Sequence, residues 1–274
     1  MGRKKHFIIP FFIPHSGCPH QCVFCNQKKI TGTSSPPSPA EMEETITQYL
    51  RTWKGQAVKE IAFYGGTFTA MDADIQEKLL LTAYRFIQNG LVDELRVSTR
   101  PDAVDDKKLD LLKRYGVTTV ELGVQSMDNA VLKKSGRGHA SEDTRTAVRL
   151  LRGNGFKIGV QIMPGLPGDT DETILYTAYK VADMVPDFIR IYPALVIKDT
   201  PLERLYLKGL YKPWQLKDMI IICSKIMTVF EKYRIPVVRV GLYVTEDLKQ
   251  NIVAGPMHPS FRQLAERIQT DVRG

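Results

Sequence analysis

The sequence predicts an α/β protein, a partial (β/α)6 barrel followed by a small C-terminal extension. Three observations predict it. Apolar segments of strand length alternate with longer segments of helical period, glycines fall where those helices should stop, and one long irregular segment follows the first strand. The strand candidates are Phe7–Ile13, Val58–Tyr64, Glu94–Thr99, Val117–Val124, Phe156–Met163 and Asp187–Tyr192. Such βα units with short connections imply parallel strands and right-handed crossovers. A closed barrel needs eight units, and an open doubly wound sheet fits the same pattern.

The elements are justified in chain order. Phe7–Ile13 is an apolar run with prolines at 10 and 14, suited to a buried strand. Residues 15–37 then form a loop too long to be a mere connection, which marks it as functional. Ser38-Pro39-Ala40-Glu41 supplies an N-cap, a first-turn proline and a capping-box glutamate, and Met42, Ile46, Tyr49 and Leu50 form the apolar stripe of the helix it opens. A helix over 72–89 buries Ile75, Leu79, Ala83, Phe86 and Ile87; one over 105–115 buries Leu109, Leu112 and Tyr115. A helix over 141–154 buries Ala147, Val148 and Leu151, and one over 169–184 opens with Asp169 and Glu172 as its cap. Gly90, Gly116 and Gly155 stand at helix ends. Residues 1–200 are thus expected to form the core barrel. Residues 201–274 form the extension, with a helix near Pro213–Tyr233, a strand near Val237–Leu242 and a closing helix after Ser260 that cover the open side of the barrel.

Composition excludes several classes. At 43% apolar and 25% charged residues the chain is globular rather than disordered, collagen-like or fibrous. No apolar run approaches the roughly 20 residues a membrane span needs. The basic start leads into prolines rather than a small-residue cleavage site, so no signal peptide is expected and the location is cytoplasmic. The net charge of +8 is concentrated at the ends: residues 1–40 hold five basic and no acidic residues, and residues 201–274 carry a net +5. That balance suits a polyanion such as RNA, and equally suits plain solubility.

Cys18, Cys22 and Cys25 fall together as C-x3-C-x2-C; Cys223 stands apart on a helical pattern and reads as an inert core thiol. Crowded thiols without a secretory signal indicate a metal site rather than disulfides. Zinc would take a fourth ligand from His15 or His20. An iron–sulfur cluster usually takes four thiolates, and three would leave one iron open.

Barrel function belongs at the C-terminal ends of the strands. After the second strand comes Gly65-Gly66-Thr67, and glycines there let a ligand approach the backbone. Ser98 ends the third strand and Gln125 the fourth, with Arg137 following; Gln161 lies at the end of the fifth. Two polar amides at neighbouring strand ends, beside an arginine and a glycine pair, indicate a small polar ligand. His139 and His258 read as surface or capping groups, Tyr192 and Tyr243 as strand packing or as residues that reach the active site, and Arg100 as a substrate contact or an ion-pair partner of Asp102 or Asp128.

Cys18-Pro-His-Gln-Cys22-Val-Phe24-Cys25, with Gly65-Gly66 at the next strand end, resembles the cysteine signature of the radical S-adenosylmethionine (SAM) superfamily. The resemblance spans roughly residues 7–200 and implies a partial TIM-like barrel, a [4Fe–4S] cluster on Cys18, Cys22 and Cys25, and SAM chelated to the open iron. It implies reductive cleavage of SAM to methionine and a 5′-deoxyadenosyl radical, fed by a low-potential donor such as flavodoxin or ferredoxin. By the same resemblance, Gly65, Gly66 and Thr67 meet the methionine amino group, Gln125 and Arg137 hold the methionine end, and Arg137 pairs with its carboxylate. Gln161 meets the ribose hydroxyls, Ser98 contacts SAM, and Phe24 packs on the adenine.

Within the superfamily, Gly65-Gly-Thr-Phe68, Ser98-Thr-Arg-Pro-Asp102, Met163-Pro-Gly-Leu-Pro-Gly168 and Ala254-Gly-Pro-Met-His-Pro259 resemble the Elongator catalytic subunit-like branch, which shares features with oxygen-independent coproporphyrinogen oxidase. That branch modifies a wobble uridine in tRNA, so the resemblance implies tRNA as a partner. Its cysteine motif has a wider first gap than Cys18 to Cys22, and it carries an acetyltransferase domain for which this sequence leaves no room. Two other readings stand beside this one: the same chemistry on a small molecule such as a porphyrinogen, and a non-catalytic, zinc-stabilised RNA-binding protein.

Overall fold

The computed structural model describes residues 6–242 and 245–271. Tyr243, named above, lies outside them. Seven strands form one parallel sheet: β1 (His6–Phe12), β2 (Val58–Tyr64), β3 (Glu94–Thr99), β4 (Val117–Gln125), β5 (Lys157–Ile162), β6 (Phe188–Ile191) and, after a small pair of strands β7 (Val196–Ile197) and β9 (Ile252–Ala254), β8 (Val237–Val240) beside β6. The pair β7 and β9 is antiparallel. The first six are the predicted strands, β2 and β3 to the residue. The seventh comes from the tail and adds to the same sheet, with Arg190 in register with Arg239.

The helices are α1 (Gln27–Thr31), α2 (Pro39–Thr52), α3 (Ala73–Gln88), α4 (Asp106–Arg114), α5 (Asn129–Lys134), α6 (Ser141–Gly153), α7 (Asp171–Asp183), α8 (Pro201–Leu207), α9 (Leu216–Lys232), α10 (Glu246–Asn251) and α11 (Phe261–Asp271). The capping box of α2 forms as read: the Ser38 N–H donates to Glu41 Oε2 at 2.7 Å, and Glu41 N–H to Ser38 Oγ at 3.3 Å. The cap of α7 differs. Thr170 caps it, while Asp169 accepts from Gly165 N–H at 2.9 Å and from the Thr173 hydroxyl at 2.5 Å, holding the preceding loop instead. Ile75, expected to be buried, is exposed on the outer edge of α3.

Strand alternation divides the sheet into two chemically different faces. Ile61, Phe63, Leu95, Val97, Val120, Leu122, Ile158, Val160, Ile189 and Ile191 pack with the helices in one core cluster, joined by Met219, Ile222, Ile226 and Phe230 of α9. The alternate positions face the concave side. There Arg190 of β6 reaches Tyr64 of β2, four strands away in the sheet, so the sheet curls into a half-barrel. Cys223 is fully buried in α9, and burial pushes its thiol up, as an inert core residue requires. Among the described residues no helix is long and apolar enough to cross a membrane.

Candidate active site

The cysteine loop is held to the strand ends by backbone bonds and one side chain. Thr67 N–H donates to Ser16 O at 2.7 Å. Gln27 Oε1 accepts from His15 N–H at 2.5 Å and Gly66 N–H at 2.8 Å, while Gln27 N–H donates to His15 Nε2 at 2.9 Å. Farther along, Val23 N–H donates to Ser135 O at 3.0 Å, and Leu202 N–H of α8 donates to Val23 O at 2.8 Å. The loop is therefore clamped between β2, the turn after α5, and the tail. Gly66 has φ +57°, and a Cβ there would stand 2.5 Å from both Ile13 O and Ser16 O, so glycine is what lets the two segments close on each other.

The three thiols lie inside this clamp. Cys18 Sγ is 3.4 Å from Thr67 Oγ1, and Arg137 Nη1 donates to Cys22 Sγ at 3.1 Å. Burial pushes the Cys18 thiol up and the Cys25 thiol to about 12, with the neighbouring cysteines adding to the effect at both. Sulfurs so placed become thiolates when a cation sits among them. Three thiolates would leave one iron of a four-iron cluster open to a further ligand, whereas a structural zinc would need a fourth protein ligand beside them. Of the histidines weighed as fourth ligands, His15 accepts from Gln27 N–H through Nε2, and His20 is exposed with its ring beside Gly138. The donor set fits a [4Fe–4S] cluster.

Arg137, Gln125 and Gln161 come together beside Cys22. Gln125 ends β4 at φ +68°, next to a register shift between Gly123 and Gln125. That bulge turns its side chain to Gln161, whose Nε2 donates to Gln125 Oε1 at 3.2 Å. A left-handed non-glycine residue costs strain of order 1 kcal/mol or more, typical of functional positions. Arg137 donates to Gly123 O as well as to Cys22, while its Nε is buried with no partner among the described residues. Ser98 is half-buried on the concave face, in register with Glu121. Phe24 lies in an apolar cluster with Cys22, Met163 and Leu166. Thr67 is fully buried, and Gly65 has φ +79° against the Gln27 side chain.

One expectation changes and one resolves. His139 is buried, 6% exposed, rather than on the surface. Burial and then Arg137 push its imidazole down to about 3, so it is neutral. Arg100 pairs with Asp102, Nε to Oδ1 at 2.9 Å and Nη2 to Oδ2 at 2.7 Å. Burial raises the Asp102 pKa, but this hydrogen-bonded arginine outweighs it and leaves the carboxyl below its usual range. His258 does cap, accepting from Ser260 N–H through Nδ1 at 3.1 Å.

Sequence reasoning missed the concave floor. Arg96 Nε and Nη2 donate to Glu60 at 2.8 and 2.7 Å, and its Nη1 donates to Glu121. Arg190 Nε lies 3.0 Å from Glu121 Oε2, and its Nη1 and Nη2 donate to the Tyr192 and Tyr64 hydroxyls, each at 3.2 Å. Two acids and two guanidiniums balance, as buried charges must. The signal was in the strands: each of β2, β3, β4 and β6 carries a charge at a position that alternates with its core-facing apolar residues.

Comparison with known proteins follows the same lines. Residues 12–179 match the family model of the Radical SAM superfamily, and residues 186–270 that of the Radical SAM C-terminal domain. The chain is 33% identical to a tRNA uridine(34) acetyltransferase of Methanocaldococcus jannaschii over 64% of its own length and 36% of that protein. It is 26% identical to Elongator complex protein 3 of Bos taurus over 92% of its own length and 53% of that protein. The chain thus spans about a third to a half of these relatives. The solved archaeal Elp3 of Methanocaldococcus infernus, with its N-terminus deleted, superposes with a TM-score of 0.77 at 23% identity, covering 99% of this chain and 64% of that one.

Proposed function

The chain belongs to the radical SAM superfamily, enzymes that bind a [4Fe–4S] cluster and SAM, and from that premise we propose that it carries out the SAM-cleaving part of a base modification on tRNA, at a uridine. The observation that carries the proposal is the convergence of the three thiols with Thr67, just after β2, and Arg137, in the turn after α5. Cys18, Cys22 and Cys25 hold the cluster. Gly65, Gly66 and Thr67 offer backbone and hydroxyl groups to the amino end of SAM, and Arg137 offers its guanidinium to the carboxylate. Gln125, Gln161 and Ser98 hydrogen-bond the remaining polar groups, the ribose falling to Gln161, and Phe24 packs on the adenine. When bound, the cluster and SAM supply a 5′-deoxyadenosyl radical through one-electron cleavage of the sulfonium C–S bond. The chain's own part is orientation and exclusion of water, the latter through the apolar cluster of Phe24, Met163 and Leu166.

The uridine target is supported by the names of the relatives and by the net +5 of residues 201–274, which suits a phosphate backbone. A low-potential donor such as flavodoxin or ferredoxin supplies the electron, and a cytoplasmic location keeps the thiols reduced. The test is anaerobic purification, reconstitution with iron and sulfide, reduction, and measurement of 5′-deoxyadenosine from SAM with and without total tRNA. Formation that is stimulated by tRNA and lost in Cys22→Ala is expected. Cleavage indifferent to RNA would overturn the tRNA assignment in favour of a small substrate; zinc retention with no cleavage would overturn the enzyme reading.

A further inference from the structure

We propose that Tyr64, Arg190 and Tyr192 form a donor-only floor of the half-barrel that donates to the C4 carbonyl oxygen of the substrate base, selecting a keto pyrimidine over an amino one. The inference rests on the uridine reading above and names the side chains that would enforce it. An arginine can only donate. Each Arg190 Nη reaches one phenol at 3.2 Å, so each phenolic oxygen is used as an acceptor and each keeps its own proton to give away. No described residue accepts either proton in hydrogen-bond geometry: the bonds recorded for these hydroxyls are those received from Arg190. Two O–H groups are thus left as donors on the concave face, and both tyrosines are only half-buried there.

Three further features shape what they bind. Burial raises the Tyr64 phenol, with Glu121 adding to it, so the group stays protonated and donating. The Arg190 charge is already matched by Glu121 at 3.0 Å, so the floor favours a neutral acceptor over a phosphate. Its place is beside the proposed cofactor residues: Tyr64 directly precedes Gly65, and Arg190 is the register partner of Gln161. The C4 carbonyl of uracil satisfies the donors. The exocyclic amine of cytosine would set donor against donor and leave these hydroxyls unpaired under the base, which hydrogen-bonding sites reject strongly.

The test uses the full chain and two anticodon stem-loop RNAs that differ only in uridine or cytidine at the target position, with binding read by fluorescence anisotropy on protein without SAM and kinetics read as 5′-deoxyadenosine on the reconstituted enzyme. The wild type is expected to favour the uridine RNA by about 10-fold or more, and Tyr64→Phe/Tyr192→Phe to bring the ratio towards one. Thermal unfolding is recorded alongside; if the double variant is unfolded, Tyr192→Phe alone is expected to reduce the ratio by several-fold. A purely structural role would lower stability without moving the ratio, so an unchanged ratio in a folded variant overturns the inference. RNA binding by the wild type without preference also overturns it and leaves the tRNA reading standing. Failure of the wild type to respond to either RNA removes both.

Discussion

Arg190 on β6 donates to the Tyr64 hydroxyl on β2 at 3.2 Å, between residues 126 positions apart. The same guanidinium neutralises Glu121, which is 5% exposed. Arg190→Met removes one partner of a buried pair and leaves Arg96 alone to face two carboxylates. Unfolding in urea is expected to show a loss of about 3 kcal/mol or more, with Arg190→Lys recovering part of it. A loss under 1 kcal/mol would mean that the floor is wet enough to screen Glu121.

Arg137 touches Cys22 and keeps a buried, unpartnered Nε. Arg137→Lys retains the charge but not the planar fork. Titration of the reconstituted protein with SAM is expected to show affinity reduced about 10-fold or more. Unchanged affinity would remove Arg137 from the cofactor site and leave it a support for the cysteine loop.

Glycine substitutions should separate the clamp from the scaffold. Gly66→Ala and Gly17→Ala place a Cβ 2.5 Å and 2.3 Å from backbone oxygens, at positive φ in both cases. Each is expected to lose about 2 kcal/mol or more and to retain less iron after reconstitution. Gly153, inside α6 with open space around it, carries no such constraint. Gly153→Ala is expected to raise stability by about 0.5–1 kcal/mol. Calorimetry and iron analysis on the same samples check both signs.

The neutral His139 makes stability depend on pH. Its folded value, pushed down to about 3 by burial, lies below the ordinary 6.5 that applies when unfolded. The unfolded chain therefore takes up this proton first. The stability contribution is complete above pH about 6.5 and is lost as pH falls towards 3, by up to a few kcal/mol. Asp169, raised to about 6 by burial, acts with the opposite sign: its contribution is present below about 3.8 and is lost as pH rises through 6. Denaturation midpoints between pH 4 and 7 for His139→Gln are expected to fall less steeply on acidification than those of the wild type. An unaltered slope would place His139 in contact with water.

What the sequence by itself determined is what local periodicity and spacing encode. The strand ends of β2 and β3, the capping box of α2 and the cysteine spacing depend on residues two to four apart, so they can be read without a fold. The inward charges Glu60, Arg96, Glu121 and Arg190 were equally visible as charges alternating with apolar strand positions, but their meaning depended on their partners. Only the tertiary structure decided those partners. Sheet curvature brings β2 to β6, the bulge at Gln125 aims it at Gln161, and Gln27 ties the cysteine loop to Gly66. The burial of His139 belongs to the same class. Each depends on packing between segments far apart in the chain, where register and curvature, rather than residue period, fix who meets whom.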